Sequence, residues 1–201
     1  MKKKNKKEFN IDKLLINIFL CIILITFIVV ILFYLFYKNE YHEKIWDVHF
    51  TRIVNSECSI GAECVTPTIY TDSTSTGDYS VTFNEPGEKA VYELDVVNDG
   101  ALDVEINNII FGSYNCKSNS SDRVEAINDQ GKVCSNLSYN LYDSDNNKVL
   151  KGTILKSKEK VTYYLKLTYS DDQYFVSEEN RLSDTVTVRN LNLTIDYKQV
   201  K

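Results

Sequence analysis

Five cysteines and two histidines are the residues of this 201-residue chain best suited to covalent or metal chemistry. Cys58, Cys64, Cys116 and Cys134 stand together in the polar part, while Cys21 sits in an apolar run. An even number of thiols outside a membrane suggests two disulfides, for which three pairings exist. The local pairing, Cys58–Cys64 with Cys116–Cys134, is expected, because each bridge closes one loop without crossing the fold. A zinc site would need tightly spaced cysteine pairs. The gaps here are five and seventeen residues, so no metal ligand is assigned. His42 and His49 could each activate a thiol, but pairing the thiols removes the nucleophile. Asp143-Ser144-Asp145-Asn146-Asn147 imitates the opening of a calcium loop. Lys148 stands where that loop needs Gly and Ile154 where it needs Glu, so the run reads as an Asx-rich turn. Asn119, Asn136 and Asn192 begin N-x-[ST] triplets, which an Asn-rich chain produces by chance. No H-E-x-x-H, G-x-S-x-G, Walker or dinucleotide signature occurs. No catalytic residue and no cofactor is therefore expected, and the chain reads as a non-enzyme.

Charge divides the chain. Residues 1–37 hold six of the 23 basic side chains and two of the 28 acidic ones, a net of +4. The remaining 164 residues hold 17 against 26, a net of −9. Nucleic acid is excluded as a partner, because phosphates require Lys and Arg. The mean hydropathy of −0.26 hides a second division. Leu14–Tyr37 is 24 residues without a charge. As a helix it would span about 36 Å, enough for the ~30 Å hydrocarbon core. Lys2–Lys7 precede it, which keeps the N-terminus in the cytoplasm and sends the C-terminus out. A cleaved leader would end in small residues; this run ends in Tyr34-Leu35-Phe36-Tyr37. The expected order is a basic cytoplasmic tail (1–13), a transmembrane helix (14–37), a juxtamembrane linker (38–44) and an extracellular domain (45–201).

That domain is written with a period of two, the signature of half-buried strands. Trp46, Val48 and Phe50 begin it. Val81 and Phe83 follow, then Ala90, Tyr92, Leu94 and Val96, and Leu102, Val104 and Ile106. Leu137, Tyr139 and Leu141, a short Lys148–Leu150, Val161–Tyr169 and Leu191–Tyr197 complete the series. Seven or eight strands without an amphipathic helix predict an all-β, Ig-like antiparallel sandwich. Tyr92, Tyr139, Tyr163, Tyr169 and Tyr197 fall on its dry faces. Tyr70, Tyr79, Tyr114, Tyr142, Tyr164 and Tyr174 are freer to make contacts. Asn55–Gly77 and Gly112–Val133 are long for loops and are expected to carry binding. Asn98-Asp99-Gly100 resembles a tight hairpin turn, but a two-residue turn would pair Val97 with Leu102 and set core beside solvent. A bulged three-residue loop or an arch between the two sheets keeps the faces in phase.

The run Asp95-Val96-Val97-Asn98-Asp99-Gly100-Ala101-Leu102-Asp103-Val104 resembles the V-x-N-x-G-x-x-D-A segment of bacterial surface β-sandwiches. Trp46–Phe50 and Leu191–Tyr197 are similar to segments of small membrane-anchored surface proteins of AT-rich Firmicutes, distantly similar to camelysin-like and biofilm-fibre sandwich domains. The resemblance covers about residues 45–200 and implies a fold rather than an activity. The expected function is a membrane-anchored, non-catalytic interaction or adhesion module of the cell surface. Its expected partners are the membrane, through Leu14–Tyr37, and an extracellular protein or cell-wall component. A subunit that assembles by strand-edge pairing is the alternative.

Overall fold

Alternation obliges each strand to choose one dry face, and the sheet pairing follows from that choice. A computed structural model of the chain describes residues 11–40, 47–169 and 181–200. The Lys2–Lys7 tail, His42, Trp46 and Tyr174 lie outside the described residues. Contacts divide the chain into two units, Met1–Glu43 and Lys44–Lys201.

The first unit contains helix α1, Ile11–Glu40. Its described side chains, Phe19–Tyr34, are uncharged and exposed. Thr26 returns its hydroxyl to the Ile23 carbonyl at 2.8 Å. Among the described residues no helix is long and apolar enough to cross a membrane.

The second unit is an antiparallel sandwich. One layer has the order β1-β4-β9-β7, built from β1 (Val48–Cys58), β4 (Lys89–Asn98), β9 (Lys160–Tyr169) and β7 (Leu137–Tyr142). The other layer consists of two sheets, β2-β3-β10-β6 and β11-β5-β8. Its strands are β2 (Glu63–Cys64), β3 (Tyr79–Phe83), β5 (Val104–Phe111) and β6 (Asn115–Ser118), then β8 (Ile154–Leu155), β10 (Val186–Leu191) and β11 (Leu193–Gln199). Only Asn192 separates β10 from β11, so one continuous stretch of chain joins the two sheets. The layers meet through ring pairs: Tyr79 against Tyr92 at 5.3 Å, Phe83 against Tyr169 at 6.1 Å and Phe111 against Tyr139 at 4.5 Å.

Eleven strands stand among the described residues where seven or eight were expected. Two of the additions, β2 and β8, are only two residues long. The closing run of alternation at Leu191–Tyr197 is one face but two strands. Leu191, Leu193, Ile195 and Tyr197 are all buried, and the chain changes partners from β3 to β5 at Asn192. Lys148–Leu150 contributes only a bridge to Tyr142, and β8 lies further on. A helix also stands where a loop was expected: α2, Arg123–Ser135. Asp122 caps it, accepting from the Val124 and Glu125 amides at 2.7 and 3.1 Å. Of its residues only Asp129 and Val133 are buried, so it lacks the apolar stripe that would betray it in sequence.

The turn at Asn98-Asp99-Gly100 is an arch between layers. β4 pairs with β1 and β9, whereas β5 pairs with β11 and β8. Val97 faces Lys160 and not Leu102. Asn98 is fully buried and fastens the arch. Its amide donates to the carbonyls of Leu102, Leu155 and Lys156 at 2.9, 3.4 and 3.1 Å, and its Oδ1 accepts from the Gly100 amide at 3.0 Å.

The five tyrosines assigned to dry faces are buried, and Tyr79, expected to be free, joins them at 4% exposure. Its hydroxyl meets that of Tyr139 at 2.8 Å, and Tyr139 also donates to the Asn192 carbonyl at 3.1 Å. Burial pushes the Tyr163 and Tyr169 phenols up to about 12 and raises those of Tyr79, Tyr92, Tyr139 and Tyr197.

Candidate functional site

The outer face of the β1-β4-β9-β7 sheet collects the ionic and phenolic side chains that the inner face rejects. Register sets them in rows, because opposed residues share a face. Arg52, Asp95 and Thr162 form one row. Val54, Glu93, Tyr164 and Tyr142 form the next, and Glu57, Val91, Lys166 and Asn140 another. The first row is structural. The Asp95 side chain is 5% exposed and is bonded by Lys160 at 2.9 Å, Arg52 at 3.1 Å and Thr162 at 2.7 Å. Burial works to raise this carboxyl. The hydrogen bonds from Lys160 and Thr162 and the charges of Lys160 and Arg52 outweigh it and hold the group below its ordinary value.

Beyond that row the face opens into a groove of about 520 Å³. β1 supplies Ser56 and Glu57, β4 supplies Lys89 and a Val91 floor, and β9 supplies Tyr164 and Lys166. Lys89 pairs with Glu57 at 2.8 Å. Lys166 lies 4.7 Å from the centre of the Tyr142 ring and donates to Asn146. Such a surface offers donors, acceptors and a ring edge on rigid strands, with no oriented acid–base–nucleophile set. A second cavity, of about 490 Å³, is lined by Asp47, Asp72, Asp196 and Asn107. Among the described residues no group of three His, Cys, Asp or Glu side chains converges as a metal site requires.

The four cysteines stand as two bridges, Cys58–Cys64 and Cys116–Cys134, with Cα separations of 6.1 and 6.0 Å. The first ties the end of β1 to β2 and the second ties β6 to α2. Neither leaves a thiol for His49, whose nitrogens lie 3.4 Å from Asp47 and 3.8 Å from Asp99. The Asp143 carboxylate is taken by its own turn, accepting from the Asp145 and Asn147 amides at 2.9 and 2.8 Å. The backbone bond from Asn147 leads the contributions that hold this carboxyl below its ordinary value. Each N-x-[ST] asparagine uses its amide internally: Asn119 to Thr185, Asn136 to the Lys132 carbonyl and Asn192 to Asp78.

The two loops expected to carry binding are largely absorbed into the scaffold. Asn55–Gly77 contributes the end of β1, β2 and a seal along the sandwich. In that seal the Phe50 amide donates to the Ser73 carbonyl, the Ile195 amide to the Thr74 carbonyl and the Thr76 amide to the Leu193 carbonyl. The same stretch gives Ser56 and Glu57 to the groove and Asp72 and Thr74 to the second cavity. Gly112–Val133 becomes β6 and α2 and lines neither. Sequence reading missed the groove because Lys89, Tyr164 and Lys166 occupy the discarded half of the alternation. Their types were visible, but the register that brings them together was not.

No family model and no curated protein matches this chain. Among solved structures it is similar to CBM3b of the major scaffoldin subunit ScaA from Acetivibrio cellulolyticus, at 10% identity over 77% of this chain and 72% of that one, with a TM-score of 0.17. A CBM of Ruminiclostridium thermocellum gives 12% identity over 77% of each chain and a TM-score of 0.18. Likenesses this slight bear no weight, so the functional reading rests on the groove and its neighbours.

Proposed function

We propose that the chain is a non-catalytic interaction module of the cell surface, an Ig-like sandwich held outside the membrane by its N-terminal helix. The groove on the outer sheet face carries this reading. Three strands bring Glu57, Lys89, Tyr164 and Lys166 to one open recess, and such concave, polar-edged sites on rigid elements are where binding concentrates. The body's net charge of −9 favours a basic or neutral partner and repels anionic wall polymers. The four cysteines of the sandwich are closed in bridges and His49 faces carboxylates, which supports binding rather than covalent chemistry. The resemblance to anchored Firmicute surface sandwiches belongs to the same proposal.

Reversing both groove lysines, Lys89→Glu with Lys166→Glu, tests the site. Retention of surface macromolecules on the immobilised protein is expected to fall about tenfold or more, as for a central contact worth ~2 kcal/mol. Undiminished retention would move the contact elsewhere.

The uncharged Leu14–Tyr37 run and the self-satisfied Thr26 hydroxyl support anchoring. Protease added to intact protoplasts is expected to digest the C-terminal body. A fully protected C-terminus would refute the orientation.

One observation favours assembly as the second reading. β8 and the turn before it cover β5 only from Val104 to Ile106. Beyond them Ile110 is 43% exposed, and the Ile109 amide is bonded by the side chain of Asn108. Polymerisation of the purified protein at micromolar concentration, abolished by Ile110→Lys, would favour this edge over the groove.

A further inference from the structure

Exposed aliphatic side chains scattered over a surface need no explanation. Ile60 differs from the others in how firmly the chain holds it out. It is fully exposed, at 102%, on the turn Ser59-Ile60-Gly61-Ala62, which closes with the Ala62 amide donating to the Ser59 carbonyl at 3.1 Å. Gly61 supplies the φ of +99° that the third position of such a turn requires. The Cys58–Cys64 bridge closes the turn from outside. Ser59 locks it to β4 in both directions: its amide donates to the Lys89 carbonyl at 3.0 Å, and its Oγ accepts from the Lys89 amide at 2.9 Å.

A second turn braces the first. A Cβ on Gly61 would come within 2.6 Å of Glu88 Oε1. Glu88 is itself buried, and its other oxygen accepts from the Asn84 amide at 2.6 Å. The Gly87 amide donates to the Tyr169 carbonyl at 2.7 Å, and the Tyr169 amide donates to the Glu88 carbonyl at 3.0 Å. The turn backbone is thus fixed by a covalent ring, a neighbouring turn and two strands. Nothing in that arrangement needs isoleucine at position 60. A fully exposed side chain adds nothing to folding, and its turn position accepts most residues, proline best.

We infer that Ile60 is an anchor that inserts into an apolar pocket of a protein partner whose pocket rim is basic. This deepens the proposed interaction reading and rests on it. Pre-organisation is the physical reason: an aliphatic group on a fixed backbone loses little freedom on docking, so most of its burial appears as affinity. The rim follows from charge. Glu63 opens β2 directly after the turn and Glu85 lies on the bracing one, both exposed, while Lys89 is already paired with Glu57. That acidic surround disfavours insertion into an anionic lipid surface and suits Lys or Arg around the receiving pocket. The groove residues Glu57 and Lys89 are the neighbours of this turn along β1 and β4, so one partner can engage both.

The test places a photo-crosslinking amino acid at position 60 of the full chain in its native cells, with position 144 as the control. The expected result is one protein adduct from position 60 and none from position 144. The crosslinked partner peptide should line an apolar pocket flanked by Lys or Arg. Ile60→Ser is then expected to weaken binding of that identified protein ~10- to 100-fold, and Ile60→Val only about fourfold, in proportion to the apolar surface removed. Both variants should melt as the wild type does. An adduct with a second copy, with lipid or with glycan overturns the inference, as does no adduct or full binding by Ile60→Ser. If Ile60→Ser binds fully while Lys89→Glu with Lys166→Glu does not, the anchor falls and the groove stands. The opposite pattern keeps the anchor and removes the groove.

Discussion

Replacing Asn98 by alanine is expected to cost about 3–5 kcal/mol, enough to remove much of the stability of a domain this size. The side chain is fully buried where β4 leaves one layer for the other. Its amide serves three carbonyls, from the turn before β5, from the last residue of β8 and from the residue after it, and its oxygen serves Gly100. Alanine leaves these groups without partners, at ~1–3 kcal/mol for each that water cannot reach. Asn98→Asp should be no better, because a carboxylate faces three carbonyls it cannot donate to and is buried as a charge. Chemical denaturation of both variants checks this. A loss under about 1 kcal/mol in Asn98→Ala would show that solvent enters the arch and that Asn98 does not hold it.

The second large effect belongs to the Cys116–Cys134 bridge. Helix α2 has little else to hold it. It buries only Asp129 and Val133, and thirteen residues make a marginal helix alone. Asp129 accepts from the Ser183 amide and hydroxyl, and Lys132 donates to the Arg181 carbonyl at 2.8 Å. The bridge spans 18 residues of sequence, for which the chain-entropy account gives ~3 kcal/mol. Cys116→Ser with Cys134→Ser should therefore lower the melting temperature by roughly 10 °C. The Cys58–Cys64 bridge spans only 6, so its removal should cost less, about 2 kcal/mol. Equal losses, or a larger one for the shorter bridge, would show that tethering of the unfolded chain is not what the bridges contribute.

The parts legible in sequence were those where alternation and parity act together. β4 and β9 align as their patterns demand, with Leu94 opposite Tyr163 and Tyr92 opposite Leu165. The same parity excluded a tight hairpin, since Val97 could not share a face with Leu102, and left a bulged loop or an arch; the partners of β4 and β5 decide for the arch. The local disulfides followed from loop closure. What stayed hidden depends on contacts distant in sequence. Helix α2 is specified by the Asp122 cap and by a buried carboxylate that bonds a segment 54 residues away, and neither leaves a periodic mark. The break at Asn192 preserves the apolar period through Leu191 and Leu193, so alternation passes over the change of sheet. The groove requires the register of three strands at once, and no single strand reveals it.

Hydroxyl-radical footprinting of the full chain, alone and with native surface extract, tests the binding surface most directly. Protection should concentrate on the groove and the turn beside it, at Tyr164, Lys166 and Ile60, with Val124 and Ile127 of α2 still open. Protection confined to α2, or to Ile109–Phe111 on the β5 edge, would contradict the account.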